Sequence, residues 1–312
     1  MKPLSSREIR GNWATLLASW NADESLDLGR IAVEIDLLIA AGVDGIYCNG
    51  TAGEFHAQTE EEFATIGKLL ADKCESAGMP FQIGASHTSA IISRQRVRLA
   101  TFLRPSAIQV ILPDWFPVTI DEAIVFLQRI ADDSAGVGLV LYNPPHSKVV
   151  LSVDELARLA HEVPQLVGIK VAGGDAEWYT KMQPLFERLS VFVAGHTLAT
   201  GISQGAHGAY SNVACLNPAA AQRWYDQMLN NLPAALEVEE RIRRFMRESI
   251  EPFITEQRFC NAACDRLLTQ VGGWCDIGPN MRWPYRSIPS SVVPALREMA
   301  QRTIPEFIVQ QP

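Results

Sequence analysis

The sequence has no C-x-x-C pair and no dense cysteine framework. Its six cysteines, Cys48, Cys74, Cys215, Cys260, Cys264 and Cys275, are dispersed through 312 residues, so reduced thiols are expected rather than disulfides or a zinc knuckle. Cys260 and Cys264 stand four apart on an expected helix and could share one face. No histidine lies near them, and helix packing is the reading adopted. The six histidines, His56, His87, His146, His161, His196 and His207, never fall in the i, i+4 pairing of a helical zinc site. No metal is expected. A basic excess is missing too: 35 acidic against 27 basic residues give a formal net charge of -8, which offers no field to attract nucleic acid or anionic lipid. No run reaches the roughly 20 apolar residues that cross a bilayer. The stretch from Ile31 to Ala41 is interrupted by Glu34 and Asp36. Met1 to Asn21 carries Arg7, Glu8 and Arg10 and lacks the apolar centre of a secretory signal. These absences predict a cytoplasmic protein with neither a nucleic-acid nor a membrane partner.

What is present is a chain with 47% hydrophobic and 20% charged residues, enough apolar material for a substantial core. Short apolar runs recur at Gly45–Cys48, Phe81–Ile83, Ala107–Ile111, Gly138–Tyr142, Leu166–Ile169 and Val191–Ala194, each reading as a buried strand. Segments of helical period lie between them, such as Leu28, Ile31, Ala32, Ile35 and Leu38. Adding Trp13–Leu17 at the start and Gly208–Val213 at the end makes eight strands, with connections too long for hairpins. An open doubly wound sheet gives a similar alternation, so periodicity leaves both architectures standing. From Asn217 onward helical patterns take over, at Pro218–Asn230, Ala234–Ser249, Pro252–Gln270 and Ser291–Gln301. No repeat beyond the β/α unit and no linker is visible. Four prolines, Pro279, Pro284, Pro289 and Pro294, punctuate a late connection.

Three segments carry potential chemistry. Gly50-Thr51-Ala52-Gly53-Glu54 joins the second strand to a helix starting near Thr59. Its glycines permit a sharp turn that presents amides to an anion, and Thr51 adds a hydroxyl. An ordinary glycine-rich turn would look the same. Tyr142-Asn143-Pro144-Pro145 follows the fifth strand, where a phenol would stand in a barrel mouth as a proton carrier or merely pack at the rim. Gly168-Ile169-Lys170 ends an apolar strand with an amine. Burial there would lower the lysine pKa and free the lone pair for attack on a carbonyl; a lysine snorkelling to solvent is the plainer alternative. All three fall at the C-terminal ends of strands two, five and six, and would converge on one mouth.

In this order and at these separations, the three segments resemble the dihydrodipicolinate synthase / N-acetylneuraminate lyase family, over most of the chain. Gly205-Ala206-His207-Gly208-Ala209-Tyr210-Ser211-Asn212 is similar to that family's glycine-rich last strand. The resemblance implies a (β/α)8 TIM barrel over residues 1–230 and a C-terminal helical extension over 231–312. It further implies a homotetramer built as a dimer of dimers, with no cofactor. Lys170 would form an imine with pyruvate or another 2-keto acid, and Tyr142 would relay protons with Thr51 hydrogen-bonded to it. Thr51 and Ala52 would hold the substrate carboxylate, and Tyr210 would line the same pocket. The reaction implied is that of a Schiff-base lyase or aldolase joining or separating pyruvate and an aldehyde.

The departures from the family pattern bear on the acceptor. Ala52 replaces the second of two adjacent hydroxyl residues, which shifts carboxylate binding to backbone amides. Pro113 is followed by Asp114 and Trp115 where the synthases present tyrosines, so that relay is lost or rerouted through Asp114 or water. Ser147 occupies the place of the arginine that grips an aldehyde's carboxylate, with Lys148 as a substitute charge. Val171 stands where many sugar-acid members have a polar residue. Dihydrodipicolinate synthesis is therefore not the leading expectation. A 2-keto-3-deoxy sugar acid dehydratase would use the same imine, and a catalytically silent 2-keto acid binding protein is the reading from a different class.

Overall fold

A computed structural model describes residues 1–309. Eight parallel strands close into a barrel in sequence order: β1 Gly11–Thr15, β2 Gly45–Cys48, β3 Phe81–Gly84, β4 Ala107–Val110, β5 Leu139–Tyr142, β6 Leu166–Lys170, β7 Ser190–Ala194 and β8 Gly208–Tyr210. The helices are α1 Leu28–Ala40, α2 Glu60–Ala77, α3 Ala90–Phe102, α4 Ile120–Asp133, α5 Val153–Glu162, α6 Ala176–Arg188, α7 Leu198–Ser203, α8 Asn212–Leu216, α9 Pro218–Asn230, α10 Leu232–Phe245, α11 Glu251–Thr255, α12 Asn261–Gly272 and α13 Val293–Thr303. The chain is a (β/α)8 TIM barrel with C-terminal helices, and β8 pairing with β1 removes the open-sheet alternative. The expected division after residue 230 falls between α9 and α10.

Local sequence sets the helix starts. Thr59 with Glu62, Thr119 with Glu122 and Ser152 with Glu155 form reciprocal capping boxes at α2, α4 and α5, each satisfying amide donors that a first turn leaves unpaired. These starts fix where each loop leaves the barrel mouth. The apolar faces of the helices and the outward strand residues share one continuous core. A second cluster fills the barrel itself, with Trp13, Tyr47, Val140, Phe192 and Tyr210 in contact, as the closed fold requires of its inward layer.

Two expected elements end differently. The eighth strand stops at Tyr210, because the Ser211 side chain accepts from the Ala214 amide and caps α8; Val213 is helical. The expected helix Pro252–Gln270 is two helices, α11 and α12. Arg258 takes a left-handed backbone (φ 61°), which ends the helical run between them. Cys260 is consequently the residue that precedes α12, with Cys264 one turn inside it.

The extension is tied to the barrel by Arg266. Its guanidinium donates to the carbonyls of Ala18, Ile277 and Gly278 and pairs with Glu54 at 2.8 Å. Both side chains are buried. Behind α12, a Cβ on Gly272 would come within 1.6 Å of the Leu216 carbonyl oxygen, so glycine is needed for α12 and α8 to meet. The Thr269 hydroxyl and the Trp274 indole both donate to the Cys215 carbonyl. No helix among the described residues is long and apolar enough to cross a membrane.

Candidate active site at the barrel mouth

Parallel pairing places Tyr142 and Lys170 opposite each other as register partners at the tops of β5 and β6. Lys170 Nζ stands 4.1 Å from the centroid of the Tyr142 ring, 5.4 Å from Tyr210 and 5.6 Å from Tyr47. Three aromatic faces therefore surround one amine, each within the range where a ring attracts a cation. Burial nevertheless lowers the Lys170 pKa from 10.5 to about 8, outweighing the opposing pull of Asp265 and Cys215.

The amine reaches a cavity of about 510 Å³ lined also by Thr51, Ala52, Tyr142 and Tyr210. All five residues singled out in the sequence thus meet in one space. Burial holds the Tyr142 phenol above its ordinary pKa, reinforced by Asp265 and opposed by a hydrogen bond with Thr51. The group keeps its proton at neutral pH. Tyr210 presents its ring and not its hydroxyl: the phenol donates to Gln82 Oε1 at 2.5 Å, inside the barrel, and the ring stacks on Phe192.

The Gly50–Glu54 loop is built by close approach. A Cβ on Gly50 would lie 2.0 Å from the Tyr47 phenol oxygen, and one on Gly53 would lie 2.9 Å from the Leu16 carbonyl oxygen. Among the described residues, the amides of Thr51 and Ala52 donate to no protein acceptor. They are available to an anion at the cavity wall. Glu54 ends the motif in a left-handed conformation (φ 56°) and is spent on structure, pairing with Arg266 and accepting from the Arg282 amide.

A second cavity of about 410 Å³ shares Thr51 and Tyr142 with the first and is lined by His56, Asp114, His146 and Ser147 among others. Lys148 does not line that cavity. Its ammonium donates to the Trp115 carbonyl at 2.6 Å and lies over that indole, while Asp114 accepts from the Lys148 amide. Trp115 itself is 75% exposed.

Sequence reasoning missed Asp265 and Tyr47. Asp265 projects from α12 into the Lys170 cavity, and burial raises its carboxyl to about 7 despite the attraction of Lys170. A signal existed: Asn261, Cys264, Asp265 and Leu268 share one helix face by their 3, 4 and 7 spacing, and all four line the cavity.

Fold and site together define a barrel protein with a half-buried lysine at its mouth. The chain belongs to the Dihydrodipicolinate synthetase family, whose model matches residues 8–288. It is 29% identical over 171 residues to the N-acetylneuraminate lyase of Rhizobium meliloti (strain 1021), covering 54% of this chain and 55% of that one. It therefore matches only about half of that relative's length. Against the 4-hydroxy-tetrahydrodipicolinate synthase of Thermomicrobium roseum (strain ATCC 27502 / DSM 5159 / P-2) the identity is 27% over 215 residues, covering 68% and 70%. The fold matches the crystal structure of N-acetylneuraminate lyase from Fusobacterium nucleatum with a TM-score of 0.80 at 17% identity, covering 95% and 99%. It also matches a prophage protein of the dihydrodipicolinic acid synthase family from E. coli K12, solved in complex with pyruvate, with a TM-score of 0.81 at 21% identity, covering 95% and 98%.

Proposed function

We propose that the protein is a Schiff-base lyase or aldolase, forming or cleaving a carbon–carbon bond between pyruvate and an aldehyde through an imine at Lys170. The supporting observation is the amine with a pKa near 8 set beside the protonated phenol of its register partner Tyr142. At pH 7 such an amine is uncharged roughly one time in ten, against about one in three thousand for an ordinary lysine.

In this reading the free amine adds to the C2 carbonyl of pyruvate, and the resulting carbinolamine loses its hydroxyl as water when Tyr142 supplies a proton. The product is a protonated imine. The amides of Thr51 and Ala52 hold the pyruvate carboxylate, and the three aromatic faces favour the iminium charge. Loss of a proton from C3 gives an enamine, which bonds through C3 to the aldehyde carbon; the aldehyde oxygen takes up a proton and becomes a hydroxyl. Water then releases the 4-hydroxy-2-keto acid and restores the amine. Cleavage runs the same steps in reverse.

The proposal includes residues 1–230 as the catalytic barrel and 231–312 as its extension, a cytoplasmic setting, and a homotetramer acting without metal or organic cofactor. Trp115 and Phe116, each 75% exposed on the loop after β4, offer apolar surface for a subunit contact. The test is incubation with pyruvate and borohydride, followed by peptide mass spectrometry. A reduced pyruvyl adduct on Lys170 is expected; an adduct elsewhere, or none, defeats the reading.

A further inference from the structure

Among the described residues, no arginine lines either cavity at the mouth, and Lys170 is the single lysine that does. Once that amine is bonded to pyruvate, neither of these two cavities presents a permanent cation to a second carboxylate; Arg258 and Arg286 line a neighbouring pocket that meets them at Ile254, Cys260 and Tyr285. The acidic groups on the wall of the Lys170 cavity are Asp265 and Glu251. Glu251 is exposed at the rim, whereas Asp265 is only partly accessible.

Asp265 is held firmly in place. Its neighbour Arg266, about 100° further round the helix, is taken up in the buried pairing with Glu54 and the carbonyls of Ala18, Ile277 and Gly278. One residue of α12 anchors the helix and the next faces the mouth. Among the described residues, the Asp265 carboxylate accepts no hydrogen bond and forms no ion pair within 4.0 Å. Its oxygens therefore keep acceptor capacity on the cavity wall, which a ligand's hydroxyls can take over from water.

We infer that Asp265 is a specificity-determining residue that selects a neutral, hydroxylated aldehyde, accepting hydrogen bonds from its hydroxyls and repelling an aldehyde that carries its own carboxylate. The inference rests on the imine chemistry proposed for Lys170. It adds to that chemistry the class of the second substrate and assigns its recognition to the extension rather than to the barrel strands. An ionised Asp265 accepts from two hydroxyls at once; a carboxylate-bearing aldehyde in the same position meets like charge in a confined space.

The test pairs pyruvate with glyceraldehyde, neutral and hydroxylated, or with glyoxylate, small and anionic, in the wild type, Asp265→Asn and Asp265→Ala. Borohydride trapping of pyruvate is measured in parallel on each protein. Wild type is expected to favour glyceraldehyde, and each variant to lose about tenfold or more in kcat/KM for it, chiefly through KM, as befits lost hydrogen bonds to a charged group. The preference for glyceraldehyde over glyoxylate is expected to narrow by a similar factor. Trapping by the variants shows that the protein is folded and the lysine reactive. Intact trapping with an unchanged preference overturns the role of Asp265 alone. No trapping in the wild type overturns the imine reading and this inference with it.

Discussion

Tyr142 and Lys170 sit directly across a parallel strand pair, and the lysine nitrogen lies 4.1 Å from the centre of the tyrosine ring. Both are the last residues of their strands, so the pairing of the barrel rim fixes where each side chain leaves the backbone. The phenol and the amine line the same cavity.

That geometry separates two roles. Lys170→Ala is expected to abolish both the pyruvyl adduct and turnover. Tyr142→Phe keeps the ring beside the amine but removes the proton carrier, so turnover is expected to fall by about 10²- to 10⁴-fold while some trapping persists. The rate of trapping is expected to rise with pH and to level off above about 8, because only the uncharged amine attacks and burial sets its pKa there. A profile still climbing at pH 10 would mean an ordinary lysine. Full activity in Lys170→Ala would refute the mechanism outright.

The ion pair between Arg266 and Glu54 is buried on both sides. Removing one partner strands the other charge, so Arg266→Ala or Glu54→Ala alone is expected to cost about 3 kcal/mol or more, read from denaturant unfolding. The double variant is expected to lose less than the sum of the two single losses. Strict additivity in that cycle would show that the pair is not coupled.

Glu34 is buried beneath the mouth, with one carboxyl oxygen accepting from the Leu17 amide and the other without a partner. Burial raises its pKa from 4.5 to about 8, outweighing the Leu17 hydrogen bond and the attraction of Arg266. Between those values the folded chain keeps a proton that the unfolded chain has released. This contribution to stability is complete below about pH 4.5 and drains away as the pH climbs toward about 8. Glu34→Gln removes the linkage, so its melting temperature is expected to drop less than that of the wild type between about pH 5 and pH 8. Parallel curves for the two proteins would exclude Glu34 as the titrating group.

The strands were legible as short apolar runs, but the runs alone fitted an open sheet equally well; the barrel followed from the family resemblance carried by motifs such as those ending Leu139–Tyr142 and Leu166–Lys170. Strand ends point where the fold dictates, so the Gly50–Glu54 loop, Tyr142 and Lys170 were expected at one mouth from the sequence, and the family resemblance added Tyr210 to the same pocket. The tail was harder to read. Nothing in Glu256-Gln257-Arg258-Phe259 announces a break, since neither glycine nor proline stands there, yet Arg258 turns left-handed. Asp265 reads locally as one more polar residue on a helix. Its position over Lys170 depends on where α12 docks, and that depends on Arg266 reaching Glu54, more than 200 residues earlier. Likewise Tyr210 was visible as a pocket residue, but its hydroxyl is claimed by Gln82, on a strand far away in sequence.

The alternation at Asp265 and Arg266, one side chain facing the mouth and the next bolted to the scaffold, has an evolutionary corollary. A single exchange at position 265 can alter what is admitted without disturbing the bolt or any of the eight staves. A change in appetite therefore has a route through the appended helices that leaves the nitrogen and its aromatic surround untouched.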